Sequence, residues 1–346
     1  MIRRISPRIF SIFSTSLLRS ALCFVVGLAG FTRLAVAQSE SHKQSRVTAT
    51  EAANAPTESH LEHYLKFAHP IGSAKLEFPG PYGGYMFAHF KVHDIGEAGD
   101  TTWRDRPFLI DMNLSHDGTY LAPDTLKTYS DFMPFEFPMG GNHLIHAKLA
   151  PTHSREELRG FDSLFAGSLG YGLFRNYVTT FDFKKNELTF YPLYANISIG
   201  DQDPNVIHLP LLDDAVLTYC HCPYPTIWIE AEAPPLRAGR VQLATQEPLS
   251  QVFTSSMDAE TDMLLKKQAV TDPKTGQKDK VGLNLGKFII GGENIAKRSP
   301  HRAVDALPAA FHDLSVQIMG TLGNDVLRTF SALIIDPSRS AIYLVK

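Results

Sequence analysis

The side chain in this sequence best suited to acid–base chemistry is Asp111, which ends the apolar run at residues 108–110. A carboxylate at the end of an apolar strand can act as a general acid or base, alone or with a second carboxylate. It can also serve only its own turn, by accepting hydrogen bonds from neighbouring backbone amides. The residue types leave both roles open for Asp111.

Histidines and cysteines are the other groups whose spacing suggests chemistry. The H-x-x-H pair His143 and His146 is weak support for zinc on a strand or loop, so we expect surface histidines here, together with His116 and His153. Cys220 and Cys222 lie two residues apart, where a disulfide would be strained and a metal would need further ligands. We therefore expect ordinary thiols or a local disulfide, and no metal or other cofactor.

An internal repeat organises the chain. Residues 167–177 and 320–330 both read G-[ST]-L-G-x-x-h-h-R-x-aromatic, where h is apolar. Each is followed by a β-rich run that ends at an aspartate (Asp182 or Asp336), a polar turn and a second apolar run. The repeat predicts a strand, a glycine turn, a short helix and a hairpin in each half, with each aspartate capping a turn.

The segments upstream of each repeat match in the same order. Each half has a strand, a polar loop and a second strand with a short polar motif at its end. The predicted strands are residues 85–92 and 108–111 in the first half, and 226–230 and 241–244 in the second. We further expect a hairpin at residues 281–290 and an inserted loop at 271–280, because the first is apolar and the second is polar and rich in turn residues.

The two units resemble the lobes of the bacterial retropepsin-like and pepsin-like aspartic peptidases. The resemblance covers about residues 75–346 and is carried mainly by Ser168-Leu169-Gly170 and Thr321-Leu322-Gly323, each with its short helix and hairpin. It implies an all-β fold of two acid-protease-like β-barrel lobes with short helices, related by a pseudo-twofold axis. The polar cluster at residues 199–205 divides the lobes, which gives lobe 1 at 67–200 and lobe 2 at 201–346.

The family's active motif is an apolar strand followed by Asp-Thr/Ser-Gly. In the first half Asp111 matches the catalytic aspartate, while Met112 and Asn113 replace the hydroxyl residue and the glycine. In the second half the best counterpart is residues 241–246. There Thr245 fits, but Ala244 stands at the aspartate position and Gln246 at the glycine position.

These substitutions affect the chemistry that the resemblance implies. Aspartic-peptidase catalysis uses two carboxylates about 3 Å apart that share one proton. With alanine at position 244, Asp111 would have to be both base and proton donor, which one acid cannot do. The family's motif threonine bonds across to the other lobe, a role that the thioether of Met112 cannot fill. The sequence predicts an impaired or inactive homologue whose inter-lobe cleft binds an extended peptide or a small ligand.

Three alternatives stay open. The chain is an active aspartic endopeptidase if Asp111 meets an unrecognised second carboxylate, or if a homodimer brings two copies of Asp111 together. The candidate second acids are Glu230, Glu232, Glu247 and Asp258, of which the first two read more simply as outward acids of an edge strand. The chain could also be a structural envelope protein. Residues 132–141, rich in aromatic side chains, predict either a lid over the cleft or a wedge between the lobes.

Charge and the N-terminus limit partners and location. The net charge of −3 and the scattered Lys and Arg residues argue against a nucleic-acid partner.

Residues 1–37 are typical of a signal peptide. They have an arginine-rich start, an apolar run at 20–31 and Ala35-Val36-Ala37 before the cleavage point. Only 13 residues separate Arg19 from Arg33, too few for a stable membrane span of roughly 20 residues. We expect a disordered leader at 38–66 and a periplasmic or secreted protein. Nothing in the pattern indicates an oligomeric state.

Overall fold

The computed structural model describes residues 60–80, 83–93, 102–114, 116–121, 133–140, 143–152, 166–200, 203–211, 228–232, 238–253, 263, 270–271, 278–279, 281–283, 288–295, 301–304 and 318–346. All of them belong to one unit of the chain, Pro56–Lys346. The predicted signal peptide, Cys220, Cys222, His153 and Asp258 lie outside the described residues.

The described elements are mostly short strands. The first half contains β1 (Gly72–Glu77), β2 (Phe87–His93), β3 (Trp103–Asp111), β4 (Gly118–Leu121), β5 (Met133–Pro138), β6 (Leu144–Thr152), β7 (Gly167–Gly170), β8 (Tyr177–Asp182) and β9 (Glu187–Pro192). The second half contains β10 (Val206–Pro210), β11 (Trp228–Glu232), β12 (Gly239–Leu243), β13 (Gln251–Phe253), β14 (Val270–Thr271), β15 (Lys278–Asp279), β16 (Val281–Leu283), β17 (Ile289–Ile290), β18 (Glu293–Asn294), β19 (His301–Val304), β20 (Ile318–Leu322), β21 (Ala332–Asp336) and β22 (Ala341–Val345). The helices are α1 (His60–Tyr64), α2 (Tyr171–Phe174) and α3 (Asn324–Leu327), with a 3-10 turn at Pro337–Arg339.

The fold is all-β, as the sequence predicted. One sheet has the strand order β10-β22-β21-β8-β9-β1-β2-β3-β7-β4-β6-β5, and a second has the order β16-β19-β13-β20-β12-β11-β17-β18. Strands β14 and β15 form a separate pair. Within the described ranges the strands form open sheets, and neither large sheet closes on itself into the predicted barrel.

The repeated units form the elements that the sequence predicted. The first unit runs β7, α2, β8 and β9, and the second runs β20, α3, β21 and β22. Each begins at a glycine with a large positive φ, Gly167 at 157° and Gly320 at 158°. A Cβ atom at either position would collide with the backbone oxygen of the neighbouring strand, at Thr119 or Gln251. Glycine is therefore required at both sites, because the strands approach there more closely than a side chain allows.

Both hairpin aspartates cap their turns, which confirms the prediction for Asp182 and Asp336. Asp182 Oδ1 accepts hydrogen bonds from the backbone N–H groups of Lys184 at 2.9 Å and Lys185 at 2.8 Å. Asp336 Oδ1 accepts from Ser338 Oγ at 2.6 Å and from the Arg339 backbone N–H at 3.2 Å. Asp336 is fully buried, so these two donors of the turn meet its Oδ1 away from water.

The two halves of the chain share one sheet. Strand β21 of the second half pairs with β8 of the first half, with Leu333 opposite Phe181. Strands β22 and β10 then extend the same sheet. A single large core of buried apolar side chains includes residues from both halves, among them Phe181 and Leu333. The sheet and the core therefore hold the halves together along the edge formed by their repeated hairpins.

The aromatic segment at residues 132–141 packs into the first half of the chain. Within it, Phe137 is fully buried, with ring centroids 4.9 Å from Phe90 and 5.5 Å from Phe108. Phe135 is also buried and lies 5.4 Å from Tyr120. Because these rings fill the core under β2, β3 and β4, the prediction that they form a wedge between the lobes is wrong. That the segment forms a lid over the cleft stays a prediction.

Four other expectations also need correction. The predicted hairpin at 281–290 does not form, because β16 pairs with β19 while β17 pairs with β11 and β18. Strand β11 is not an edge strand, since β12 and β17 flank it. The predicted disordered leader extends too far at its C-terminal end, because α1 lies within it. Leu61 and Tyr64 of α1 are buried in a cluster with apolar residues of both halves. The two ends of the predicted loop at 271–280 belong to strands, because β14 and β15 pair there.

Candidate functional site

Asp111 is the last residue of β3, where this strand runs parallel to β7 with Asp111 opposite Gly170. Its carbonyl oxygen accepts a hydrogen bond from the Leu114 backbone N–H at 3.1 Å, which closes a tight turn. Its Oδ1 accepts from the backbone N–H of Asn113 at 3.0 Å. The half-buried carboxylate therefore caps its own turn, which is the structural role that the sequence left open for it.

Ala244 occupies the equivalent position in the second half. Strand β12 runs parallel to β20 with Leu243 opposite Leu322, as Ile110 lies opposite Leu169 in the first half. The Ala244 backbone N–H donates to Leu322 O at 3.0 Å, and the Ala244 carbonyl accepts from the Glu247 N–H at 3.0 Å. The bond from the Glu247 N–H to the Ala244 carbonyl has the same three-residue spacing as the bond from the Leu114 N–H to the Asp111 carbonyl. Strand register and turn geometry thus align Ala244 with Asp111.

Thr245 connects the two turns. Its hydroxyl oxygen accepts a hydrogen bond from the Met112 backbone N–H at 3.2 Å and donates to the Ile110 carbonyl at 2.8 Å. Thr245 is fully buried, so both bonds form away from water. The hydroxyl of the second half therefore fixes the backbone on both sides of Asp111.

The first half lacks a matching hydroxyl. Met112 stands at the position equivalent to Thr245, is fully buried and belongs to the large apolar core. A thioether sulfur is only a weak acceptor and cannot donate a hydrogen bond. Of these two equivalent side chains, Thr245 bonds through a hydroxyl to the other half, and Met112 does not.

Asn113 and Gln246 follow at the next equivalent positions, and both residues are half-buried. Their side-chain oxygens, Asn113 Oδ1 and Gln246 Oε1, are shielded from solvent. Within the described ranges, no donor lies within hydrogen-bonding distance of either oxygen. Both turns thus carry a buried hydrogen-bond acceptor at the position where the resembling family has glycine.

A second contact between the halves was missed by sequence reasoning. Asn324, the first residue of α3, is fully buried and its Nδ2 donates to Gly84 O at 2.8 Å and to Thr245 O at 2.7 Å. Arg328 Nη1 donates to Gly83 O at 2.8 Å, and the Gly83 N–H donates to Pro248 O at 3.1 Å. The signal was present in the repeat: Asn324 replaces Tyr171, a polar residue where the first copy has an aromatic one.

Asp325 closes the turn that follows Ala244. Its Oδ1 accepts from the Ser250 backbone N–H at 2.8 Å and from Ser250 Oγ at 2.6 Å. Ser250 Oγ in turn accepts from the Gly323 N–H at 2.9 Å. This carboxylate therefore holds the end of the turn against the start of α3.

The candidate second acids occupy different places. Glu247 is half-buried three residues beyond Ala244, and its Oε2 lies 3.4 Å from Gln251 Nε2, which donates to it. Glu230 lies opposite Arg240 in the β11–β12 pair, and Glu232 lies opposite Ile289 in the β11–β17 pair. Their strand registers place both acids away from the turn at Ala244, which follows the other end of β12.

The histidines do not share one environment. His116 is half-buried in the loop after Asp111 rather than on the surface as predicted, and its Nδ1 accepts from the Gly118 N–H at 3.1 Å. Burial lowers the pKa of His116 below its ordinary value, against the attraction of Asp117. His143 is exposed, and His146 Nδ1 lies 3.6 Å from Glu136 Oε1 across the β5–β6 hairpin. Among the described residues, no three His, Cys, Asp or Glu side chains are grouped to hold a metal.

A pocket of about 550 Å³ lies away from these turns. It is lined by Lys75, Leu76, Glu77, Phe78, Pro79, Lys185, Asn186 and Arg328. The Arg328 guanidinium stacks over the Phe78 ring, with its Cζ 4.2 Å from the ring centroid. None of the residues predicted to act in catalysis lines this pocket.

Comparisons with known proteins leave the family open. No protein-family model and no curated protein matches the chain. Among solved structures, the aspartic proteinase of Irpex lacteus overlaps at a TM-score of 0.48 with 14% identity, over 80% of this chain and 97% of that one. Conglutin gamma, a basic 7S globulin of lupine seeds, overlaps at 0.46 with 12% identity, over 80% and 95%. The crystal structure of edgp overlaps at a TM-score of 0.43 with 10% identity, over 79% of this chain and 94% of that one. Because all three TM-scores are below 0.5, the description of the fold rests on the strand order and repeated turns of this chain.

No helix in the described part of the chain is both long and apolar enough to cross a membrane.

Proposed function

We propose that this chain is a pepsin-like, two-lobed homologue of the aspartic peptidases that does not cleave peptides. We further propose that it binds an extended peptide in the cleft between lobes 67–200 and 201–346. The observation that carries it is that Asp111 and Ala244 occupy equivalent positions at the ends of β3 and β12. The strand registers and the Thr245 hydroxyl match those of a two-acid site, while position 244 has no carboxylate.

The missing acid decides the chemistry. In the two-carboxylate mechanism one ionised acid activates water and the other, protonated, donates to the scissile carbonyl. Ala244 has only a methyl group at that position, and this methyl is fully buried. A single carboxylate at Asp111 cannot be base and proton donor in the same step. We therefore propose loss of hydrolysis with the scaffold kept intact.

The retained contacts support a binding role. Thr245 and Asn324 are both fully buried, and both hydrogen-bond to the backbone of the first half. Bonds of this kind fix the relative position of the two turns before a ligand arrives. A rigid, preformed site binds more tightly because less conformational freedom is lost on binding. Extended peptides suit such sites, since backbone groups along the strand edges can pair with the peptide main chain.

Export is part of the same proposal. The arginine-rich start, the apolar run at residues 20–31 and the small-x-small pattern at 35–37 support a cleaved signal peptide and a periplasmic or secreted protein. N-terminal sequencing of the protein recovered from outside the cytoplasm tests this step. We expect the mature chain to begin at Gln38; recovery of an uncleaved chain in the membrane fraction would contradict export by cleavage.

The binding role is tested with a library of fluorescent peptides of eight to ten residues, measured by anisotropy on the purified protein. We expect saturable binding by a subset of peptides, and at least tenfold weaker binding in Gly170→Leu. Gly170 is chosen because a side chain there would collide with the backbone at His116 and the side chain of Leu114. The matched control is Lys185→Ala in the separate pocket, which should leave binding unchanged. Absence of binding by every peptide, or equal loss in both variants, would refute the proposal.

A further inference from the structure

The pocket of about 550 Å³ lies where three segments of the chain meet. One wall is the end of β1 with the residues that follow it, 75–79, and the second is the turn between β8 and β9 at residues 185–186. The Leu76 backbone N–H donates to Asn186 O at 2.7 Å and holds these two walls together. The third wall is Arg328, which follows α3 in the second half. A cavity of this volume is within the range of about 300–1,000 Å³ that small-molecule sites occupy.

Arg328 brings to this pocket a positive charge that no acid of the protein balances directly. Its Nη1 donates to Gly83 O at 2.8 Å, and its guanidinium lies over the Phe78 ring. Among the described residues, no carboxylate forms an ion pair with it. Burial lowers the pKa of Arg328 from its ordinary value, because water no longer surrounds the charge completely. A guanidinium has five N–H donors in a planar fork, so Arg328 has donors left for an oxyanion.

The other charges of the pocket leave a positive balance. Three of the described residues that line it are cationic, and one, Glu77, is acidic. Each oxygen of Glu77 already has a neighbour: Lys75 Nζ lies 2.6 Å from Oε1, and His89 Nε2 lies 3.0 Å from Oε2. Lys185 Nζ lies 2.6 Å from Oε1 of Glu62, which is not part of the lining. Both lysine side chains are exposed, and exposed ion pairs of this kind are weak, so either lysine can turn towards a bound anion.

The pocket also has an apolar wall, formed by Leu76, Phe78 and Pro79. The Phe78 ring contacts the Phe183 ring edge-on, with 6.1 Å between the centroids, and the Arg328 Cζ lies 4.2 Å from its own centroid. These two contacts hold the ring in place. An inorganic ion would meet the cations and leave the apolar wall in water, while a neutral apolar molecule would leave the charge of Arg328 unbalanced. A molecule with an oxyanion head and an apolar body complements both parts.

We propose that this pocket is a binding site for a small organic anion. Its carboxylate or phosphate head binds Arg328, and its apolar body packs against Phe78 and Pro79. Lys75 and Lys185 add positive charge that attracts the ligand at longer range. The site is separate from the proposed peptide cleft and does not depend on peptide binding.

Four compounds test the two parts of the site by isothermal titration calorimetry on the purified protein. Phenylbutyrate and phenylbutyl phosphate carry one apolar body with different oxyanions, phenylbutanamide has no charge, and acetate has no apolar body. We expect the better of the two phenyl anions to bind at least about tenfold more tightly than the amide and than acetate, because each of these lacks one group of contacts. The identity of the better anion assigns the head group.

Three outcomes of this titration would contradict the proposal. Equal affinities for the better anion and the amide would overturn the oxyanion site. Equal affinities for that anion and acetate would overturn the role of the apolar wall. Absence of binding by all four compounds would overturn the site as a whole, and would leave the proposed peptide binding untouched.

Variants of the cationic side chains locate the binding in the pocket. Arg328→Gln removes the charge and should weaken the better anion about tenfold, with little effect on the amide. Arg328→Lys keeps the charge without the planar fork and should recover part of the loss. Because Arg328 also bonds to Gly83, urea unfolding checks that both variants fold.

A double variant keeps the test independent of that bond. Lys75→Gln with Lys185→Gln changes two exposed side chains and should weaken the better anion about threefold, through the lost attraction of their charges. Lys148→Gln is the matched control: Lys148 is exposed on β6, is not part of the pocket lining, and its replacement should leave the affinity unchanged. Unchanged affinity for the anion in the double lysine variant, or in a folded Arg328→Gln, would overturn the proposal.

Discussion

The hydroxyl oxygen of Thr245 lies 3.2 Å from the backbone nitrogen of Met112, and this bond joins the two equivalent turns of the chain. The same oxygen donates to Ile110 O at 2.8 Å, so one buried side chain spans the peptide units on both sides of Asp111. The backbone around Asp111 is thus held by a side chain of the half that carries Ala244.

Replacing Thr245 tests the importance of this bond for stability. Thr245→Val keeps the shape but removes the hydroxyl, and it leaves Met112 N and Ile110 O without their side-chain partner. We expect a loss of about 2–3 kcal/mol in the free energy of unfolding, because a buried group left unpaired costs about 1–3 kcal/mol. Urea unfolding followed by circular dichroism measures this. Thr329→Val is the control: Thr329 is exposed, and its hydroxyl donates to Val326 O at 2.7 Å at the end of its own helix. Equal effects of the two substitutions would contradict the argument.

Restoring the missing acid tests the alignment of the two turns. If Ala244 stands at the lost aspartate position, Ala244→Asp together with Gln246→Gly should bring a second carboxylate to Asp111 and recover the family's Asp-Thr-Gly motif. We expect cleavage of a peptide library between pH 3 and 5 that pepstatin blocks. The control is Ala244→Asn with Gln246→Gly, which has a side chain of equal size but no acid. A folded double variant that neither binds pepstatin nor cleaves would show that the turns are not aligned for catalysis.

The two hairpin aspartates allow a comparison within one molecule. Asp182→Ala and Asp336→Ala each remove an acceptor that receives two donors of its turn. We expect each to reduce the free energy of unfolding by about 2 kcal/mol, with the larger loss at the fully buried Asp336. The asparagine variants keep one acceptor oxygen and should lose about half as much. Denaturant midpoints provide the measurement. Asp105→Ala is the control, since the Asp105 side chain is 65% exposed and its contact with His89 is long, at 3.6 Å.

His116 makes stability depend on pH beside the candidate site. Burial lowers its pKa in the folded chain below the ordinary value of 6.5. Between these two values the unfolded chain binds a proton that the folded chain does not, so stability falls as the pH decreases from about 6.5 through the folded pKa. A protonated Nδ1 would also lose its bond from the Gly118 N–H. We expect His116→Asn, which offers an acceptor oxygen in place of Nδ1, to remove this part of the slope.

Urea midpoints from pH 7.5 to pH 5 give the measurement for His116. The exposed His146→Asn is the matched control and should keep the wild-type slope. An unchanged slope in His116→Asn would contradict the assignment of this pH dependence.

The sequence predicted the parts of the fold that are set by local chemistry. The repeated glycine turn, short helix and hairpin appear at α2 and α3 because glycine, apolar spacing and a turn aspartate determine them within some 25 residues. The choice of Ala244 as the counterpart of Asp111 came instead from the resemblance to the family's active motif.

The parts that it missed depend on distant partners. Strand β17 pairs with β11 and not with the neighbouring β16, and the burial of Phe137 depends on Phe90 and Phe108. The hydrogen bond from Asn324 Nδ2 to Gly84 O spans 240 residues, a separation over which no local pattern predicts a contact. Of the site, therefore, the turns could be read from the sequence and the contacts that lock them together could not.

Cleavage by the purified protein tests the central claim most directly. Casein and a peptide library are incubated with it from pH 3 to 7, with and without pepstatin, and the products are analysed by mass spectrometry. With alanine and no carboxylate at position 244, we expect no cleavage that pepstatin inhibits at any pH. Pepstatin-sensitive cleavage that disappears in Asp111→Ala would show that Asp111 still has a catalytic partner, and would contradict the account.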